Sequence, residues 1–266
     1  THAFPDALAE RAVAALEAQP GNAKAVLDGT LGALERSMAA AGIATSVVAC
    51  IATKPEQFPS ILKWCTSIAS DRFVPFPSVH PFDPEAPARI DAVREAGLKG
   101  IKLHPYYQGF DIDDERLRPV YARLEESGLL HLSHTGFDTA FPRIRKCDAE
   151  RVLRLLDRFP RLRLVTSLMG GWMDWGETVK HLLGRPIYME ISYSLEFMTD
   201  DEAREILLGH PKEYLLFGTD SPWSDQSKTV ERVRSLGLGA EREAALFHDN
   251  AVRLLGLAAG GTTCAC

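Results

Sequence analysis

The 266-residue chain is 45% hydrophobic and 25% charged, proportions that bury a sizeable core in one large α/β domain or two small ones. Its formal net charge is −6 with basic residues scattered rather than clustered, which argues against a nucleic-acid partner. No apolar run approaches the roughly 20 residues that span a bilayer.

Five cysteines stand at irregular positions, Cys50, Cys65, Cys147, Cys264 and Cys266. They speak against a disulfide framework and for a reducing, cytoplasmic setting. The chain shows no secretory signal, and a start at Thr1 without methionine is compatible with a lost beginning.

In chain order, helical patterns come first, in PDALAERAVAALEA (5–18) and LGALERSMAAAG (31–42). Seven β-rich runs follow: TSVVACIA (45–52), RFVPFPSV (72–79), GIKLH (100–104), LLHLSH (129–134), LRLVTSL (162–168), IYMEIS (187–192) and YLLFGT (214–219). Helices fill the intervals. In the stretch 113–128, Leu117, Val120, Tyr121 and Leu124 share one face and Gly128 supplies the stop. In 148–160, Asp148 is the expected N-cap and Pro160 ends the helix.

Strands recur about every 25 to 33 residues, the length of a β/α unit built on a parallel sheet. No linker interrupts the series, which predicts one domain over 1–258 and a disordered tail over 259–266. A metal-binding Cys264–Cys266 pair is the alternative for that tail. The expected fold is an α/β (β/α)8 barrel whose first strand lies at or before Thr1 and is largely missing from the chain. An open seven-stranded sheet is the competing architecture.

In such a barrel the side chains at the C-terminal ends of the strands converge on the active site. Polar residues at those places are His2, His80, Lys102, His104, His134, Glu190, Ser192 and Asp220. Lys102 and His104 share a face by their spacing. His131 has the opposite parity to His134 and is expected against the helices, while His181, His210 and His248 fall on helices or their ends, where surface roles prevail. A single strand-end histidine is commonly structural. Several imidazoles and a carboxylate at equivalent places instead suit zinc or a similar divalent ion.

The stretches THAFPD, SVHP, GIKLHPYYQGFDIDD, LSHTGFD, MGGW and FGTDSPW resemble the amidohydrolase superfamily in its second large branch, which holds hydrolases of small carboxylated substrates and decarboxylases of aromatic and enol acids. The resemblance implies a barrel with a divalent metal, most simply zinc. It assigns metal ligation to His2 (the second histidine of a His-x-His pair), His134 and Asp220, while His104 and Lys102, together on the fourth strand, are read from their position as catalytic candidates beside Asp220. Asp220 would bind the metal, take the proton of its water, or both. A divalent ion lowers the pKa of bound water from ~15.7 towards ~7.

Two departures from the family pattern stand out. The first histidine of His-x-His would precede Thr1. Leu168 occupies the place of the usual sixth-strand histidine before Gly170 and Gly171. Lys102 is read as a partner for a substrate carboxylate, with a carboxylated, metal-bridging lysine as the alternative.

The expected function is therefore metal-dependent hydrolysis of a small, anionic substrate. The alternatives are decarboxylation of a planar carboxylic acid and a catalytically degraded barrel that binds a ligand, which Leu168 favours. Tyr106, Tyr107, Phe110, Trp172, Trp175 and Trp223 are aromatic candidates for the pocket wall. The partner is a small molecule rather than nucleic acid or membrane, and homo-oligomerisation is left open.

Overall fold

The computed structural model describes residues 1–257, so the tail expected at 259–266 lies outside the described residues. Two helices open the chain, α1 (Asp6–Glu17) and α2 (Leu31–Ala41). Strand–helix units follow: β1 (Ser46–Ala49) with α3 (Phe58–Ile68), β2 (Phe73–Phe76) with α4 (Ala86–Glu95), and β3 (Gly100–Leu103) with α5 (Arg118–Ser127). The next are β4 (Leu130–Ser133) with α6 (Ala149–Arg158), β5 (Leu164–Thr166) with α7 (Trp175–His181), and β6 (Tyr188–Glu190) with α8 (Asp200–Gly209). Strand β7 (Leu215–Leu216) precedes α9 (Gln226–Ser235), α10 (Ala240–Ala244) and α11 (Asn250–Leu255). Each strand falls inside one of the seven β-rich runs.

Local chemistry sets the helix ends. Thr30 caps α2 by accepting the Ala33 N–H at 3.1 Å, and Gly42 ends that helix at φ 69°. Asp148 caps α6 as expected, accepting the Arg151 N–H at 3.3 Å. Thr199 and Glu202 close a reciprocal capping box on α8, satisfying donors that the first turn leaves free.

All strand pairs are parallel. β1 pairs with β2, and β3 through β7 pair in sequence order. The Lys102 N–H donates to the Pro77 carbonyl at 2.9 Å and joins the two sheets. On the other side, the Thr1 carbonyl accepts the Ala49 N–H at 2.9 Å, and the His2 N–H donates to the Ser221 carbonyl. Thr1 and His2 thus stand between β1 and β7, where the (β/α)8 pattern has a strand. The chain is a β/α barrel rather than an open sheet.

The larger apolar core lies between strands and helices, with Ile101, Leu103, Leu155, Met189 and Leu215 all buried. A second cluster fills the lower barrel, where Leu254 and Leu255 of α11 meet Val74, Phe76, Leu130, Val165 and Leu216. This end of the barrel is apolar, and polar residues collect at the opposite end, beyond the C-termini of the strands.

Candidate metal centre

Alternation along the strands sends Lys102 and His104 inward from β3, and Leu132 and His134 inward from β4. The register pairs Lys102 with Leu132 and Leu132 with Val165, so His104, His134 and Ser167 form one layer directly above Lys102. Gln108 fixes this level. Its Oε1 accepts the His104 backbone N–H at 2.8 Å, while its Nε2 donates to the carbonyls of Ala52 and Val79 at 2.8 and 2.9 Å.

The imidazoles of His104 and His134 stack with centroids 4.2 Å apart. Asp138 faces both, its Oδ2 lying 3.4 Å from His104 Nε2 and 4.0 Å from His134 Nε2. These three residues offer ligand atoms within 4.8 Å of one another. Asp138 was not among the residues singled out from the sequence. It stands four residues after His134, on a loop that strand alternation does not reach.

Asp220 follows β7 and meets His2, with Oδ1 3.2 Å from Nε2. His2 Nδ1 donates to the Ala49 carbonyl at 2.8 Å, which leaves the Nε2 lone pair turned to a carboxylate oxygen. That pairing calls for a cation between them or a second ring proton. Burial raises the Asp220 carboxyl, but the hydrogen bond and charge of His2, with Lys102 beyond, outweigh it and hold the group well below the usual carboxylate range.

Elsewhere burial dominates. It pushes His134 down to about 3, helped by the Lys102 charge, and takes His104 well below its ordinary value. It also lowers Lys102 and raises Asp138 to about 6. Neutral imidazoles beside carboxylates form a nitrogen–oxygen donor set that suits zinc or manganese. Among the described residues no cysteine belongs to it.

His2, Lys102, His104, His134 and Asp220, all singled out from the sequence, line one cavity. The structure thus brings together His2 with Asp220, and His104 with His134, and His134 lies within electrostatic reach of the first pair. His134 Nε2 donates to the Phe137 carbonyl at 2.8 Å. Glu190 is saturated: Oε1 accepts the Leu168 N–H at 3.1 Å and the Ser192 hydroxyl at 2.7 Å, and Oε2 accepts the Ser192 N–H at 2.8 Å.

Several expectations need correction. His80 lies against Phe82, 6.2 Å between centroids, and is not part of the cavity wall. His210 is buried rather than superficial, because its ring turns in to the Ile187 carbonyl at 2.9 Å. Of the aromatic candidates, Tyr107, Trp172 and Trp223 line the cavity, joined by Phe137 and Tyr193. Phe110 belongs to the core, the Tyr106 hydroxyl is spent on the Gly136 and Ile144 carbonyls, and Trp175 Nε1 donates to the Leu168 carbonyl. His131 packs on Tyr121 of α5, 5.7 Å between centroids, as its parity implied.

Leu168 lines the cavity together with Ser167, although neighbours on a strand face opposite ways. Its φ of 58° breaks the alternation, and Met169, Met173, Tyr193 and Asp220 share the left-handed region with φ between 46° and 57°. For non-glycine residues this is costly backbone that persists where the surroundings impose it.

A parallel barrel with imidazoles and carboxylates gathered at its C-terminal mouth defines a class of metal-dependent enzymes. The chain belongs to the amidohydrolase family, whose sequence profile matches residues 2–257. No curated protein matches the chain. Among solved structures it is similar to 2,6-dihydroxybenzoate decarboxylase from Rhizobium, at TM-score 0.69 and 15% identity over 96% of each chain. It is also similar to a TIM-barrel protein from Bordetella bronchiseptica, at TM-score 0.71 and 22% identity over 94% of this chain and 90% of that one. A third is the manganese complex of 5-carboxyvanillate decarboxylase from Novosphingobium aromaticivorans, at TM-score 0.67 and 18% identity over 84% and 79%. These likenesses establish the fold. Among the described residues no helix is long and apolar enough to cross a membrane.

Proposed function

We propose that the chain is a metal-dependent decarboxylase of a small, planar carboxylic acid. The observation that carries this reading is the contrast between two sides of the cavity. His104 and His134 at the ends of β3 and β4, with Asp138 on the loop beyond, gather the titratable groups, whereas Leu168, Trp172, Tyr193 and Trp223 on the loops after β5 to β7 add apolar and aromatic surface. The decarboxylases among the similar structures support it.

His2, Asp220 and His134 would hold the ion, with His104 and Asp138 alongside. A divalent ion there supplies positive charge to a substrate oxygen that gains negative charge in the reaction. Loss of CO2 leaves the bonding electrons on the carbon that bore the carboxyl group, and that carbon must then take a proton. Asp138 is suited to give it, since burial raises its carboxyl to about 6 and so keeps a donor population near neutral pH. The aromatic wall holds a planar substrate and keeps water from its reacting carbon.

Hydrolysis is the second reading, favoured by the ionised Asp220 beside His2, which could accept a proton from water. Leu168 speaks against it by removing a donor from the usual place.

The test is elemental analysis of the purified chain, followed by assay of the manganese- and zinc-loaded protein on hydroxybenzoates and on aryl esters and lactones. Release of CO2 from an acid with about one metal per chain is expected. Turnover confined to esters or lactones would transfer the assignment to hydrolysis, and a protein that takes up no metal would overturn both.

A further inference from the structure

We infer that Lys102 and Ser167 form an anion-holding subsite beside the metal centre, for a carboxylate that the substrate keeps. The identity of the carboxylate rests on the decarboxylase reading above; the subsite itself does not.

The carboxylates nearest Lys102 are already engaged. Glu190 uses both oxygens on Leu168 and Ser192. Asp220 faces His2, and Asp138 faces His104 while its Oδ1 accepts the Ala140 N–H at 2.9 Å.

What remains free is donor-rich. Lys102 is 5% exposed and lines the cavity, and its ammonium has no hydrogen bond or ion pair among the described residues. The Ser167 hydroxyl is buried, 3% exposed as a residue, and also has no partner. Trp172 Nε1, on the same cavity wall, is buried and partnerless as well. An ammonium offers three donors and no acceptor, and a hydroxyl offers one donor. A buried cation without contact is costly, and Glu190, Asp220 and Asp138 lend Lys102 charge only from beyond ion-pair distance. The ligand that completes this set is an oxyanion with two acceptor atoms, a carboxylate.

The register places Ser167 one layer above Lys102 on the inward face, level with His134. The cavity measures about 1670 Å³ and reaches down the barrel, so size does not select the ligand and these polar groups do. The group held here is not the one lost. A departing carboxylate sheds its charge in the transition state, so an ammonium against it would favour the ground state and slow the reaction. The substrate therefore carries a second carboxylate besides the one it loses, held at Lys102.

Calorimetric titration tests this without turnover. Metal-stripped protein is titrated with benzoate and with neutral benzamide, and Lys102→Met, Lys102→Arg and Ser167→Ala are titrated with benzoate. The expected result is benzoate binding at least about tenfold tighter than benzamide, in line with a charge-assisted hydrogen bond. Lys102→Met should abolish that preference, Lys102→Arg retain part of it, and Ser167→Ala weaken benzoate several-fold. In the metal-loaded protein isophthalate should bind about tenfold tighter than benzoate.

Equal affinity for benzoate and benzamide in the stripped protein overturns the subsite, and this comparison stands even if a variant fails to fold. Benzoate binding that needs the metal and ignores Lys102→Met overturns the subsite while leaving the metal centre intact. Benzoate binding through Lys102 in a protein that never takes up metal upholds the subsite and sinks the proposed function. Isophthalate no tighter than benzoate overturns the two-anion substrate.

Discussion

Asp220 sits at φ 57° with its carboxylate 3.2 Å from His2, a backbone region that asparagine tolerates as well as aspartate. Asp220→Asn therefore removes the charge and keeps the shape. Metal content should fall from about one per chain towards zero and turnover by about 10²–10³ or more, with the melting temperature nearly unchanged. Metal analysis beside thermal unfolding checks this. Leu168 is the converse case, a branched side chain at φ 58°, where histidine is better tolerated. Leu168→His should hold or raise thermal stability, leave metal content unchanged, and raise hydrolysis of activated aryl esters by about 10²-fold through the added donor. An unchanged ester rate with metal bound would show that Leu168 does not limit hydrolysis.

At the scale of elements, the Glu190 carboxylate ties β6 to the turn after β5 and packs against Gly218 after β7. A Cβ on Gly218 would lie 2.1 Å from Glu190 Oε2. That oxygen ends a flexible side chain, but three hydrogen bonds pin the carboxylate, so it cannot swing away freely. Gly218→Ala should cost about 1–3 kcal/mol of stability, read as a lower urea midpoint at unchanged slope. The strands themselves were legible in the sequence, because each is an apolar run bounded by turn residues. Strand parity likewise put Lys102, His104 and His134 on one inward face, and His131 on the other. Parity fails where the backbone leaves the strand. Asp138 reaches its histidines only because Gly136 turns the chain at φ 84°, and Leu168 joins Ser167 at the cavity through its own left-handed turn. His210 misled for a related reason: a helix-end position says nothing of which way the ring turns.

For the molecule as a whole, acid stability should hinge on its buried imidazoles. His131 is fully buried, neither ring nitrogen has a partner, and burial takes it down to about 3 from 6.5. Below pH 6.5 the unfolded chain binds a proton there that the folded chain refuses until about pH 3. Stability thus falls as pH drops through that window, by about 1.4 kcal/mol per pH unit for this one group. His131→Leu should flatten the slope by that amount near pH 5 and hold or raise stability at pH 7.5, as urea titrations across pH would show. An unaltered slope would mean that the ring is charged in the folded state.

The run of left-handed residues around the mouth, Leu168, Met169, Met173, Tyr193 and Asp220, has a consequence for how this protein tolerates mutation. If every position were replaced and each variant scored separately for cellular abundance and for turnover, the two maps should part company here. Glycine or asparagine at the exposed Met173 and the half-buried Tyr193 relieves backbone strain, so abundance should match or exceed the parent, whereas the buried Leu168 and Met169 also lose packing and should fall. Turnover should fall, because the same strain orients the cavity wall. Core positions such as Ile101 and Met189 should instead lose both scores together.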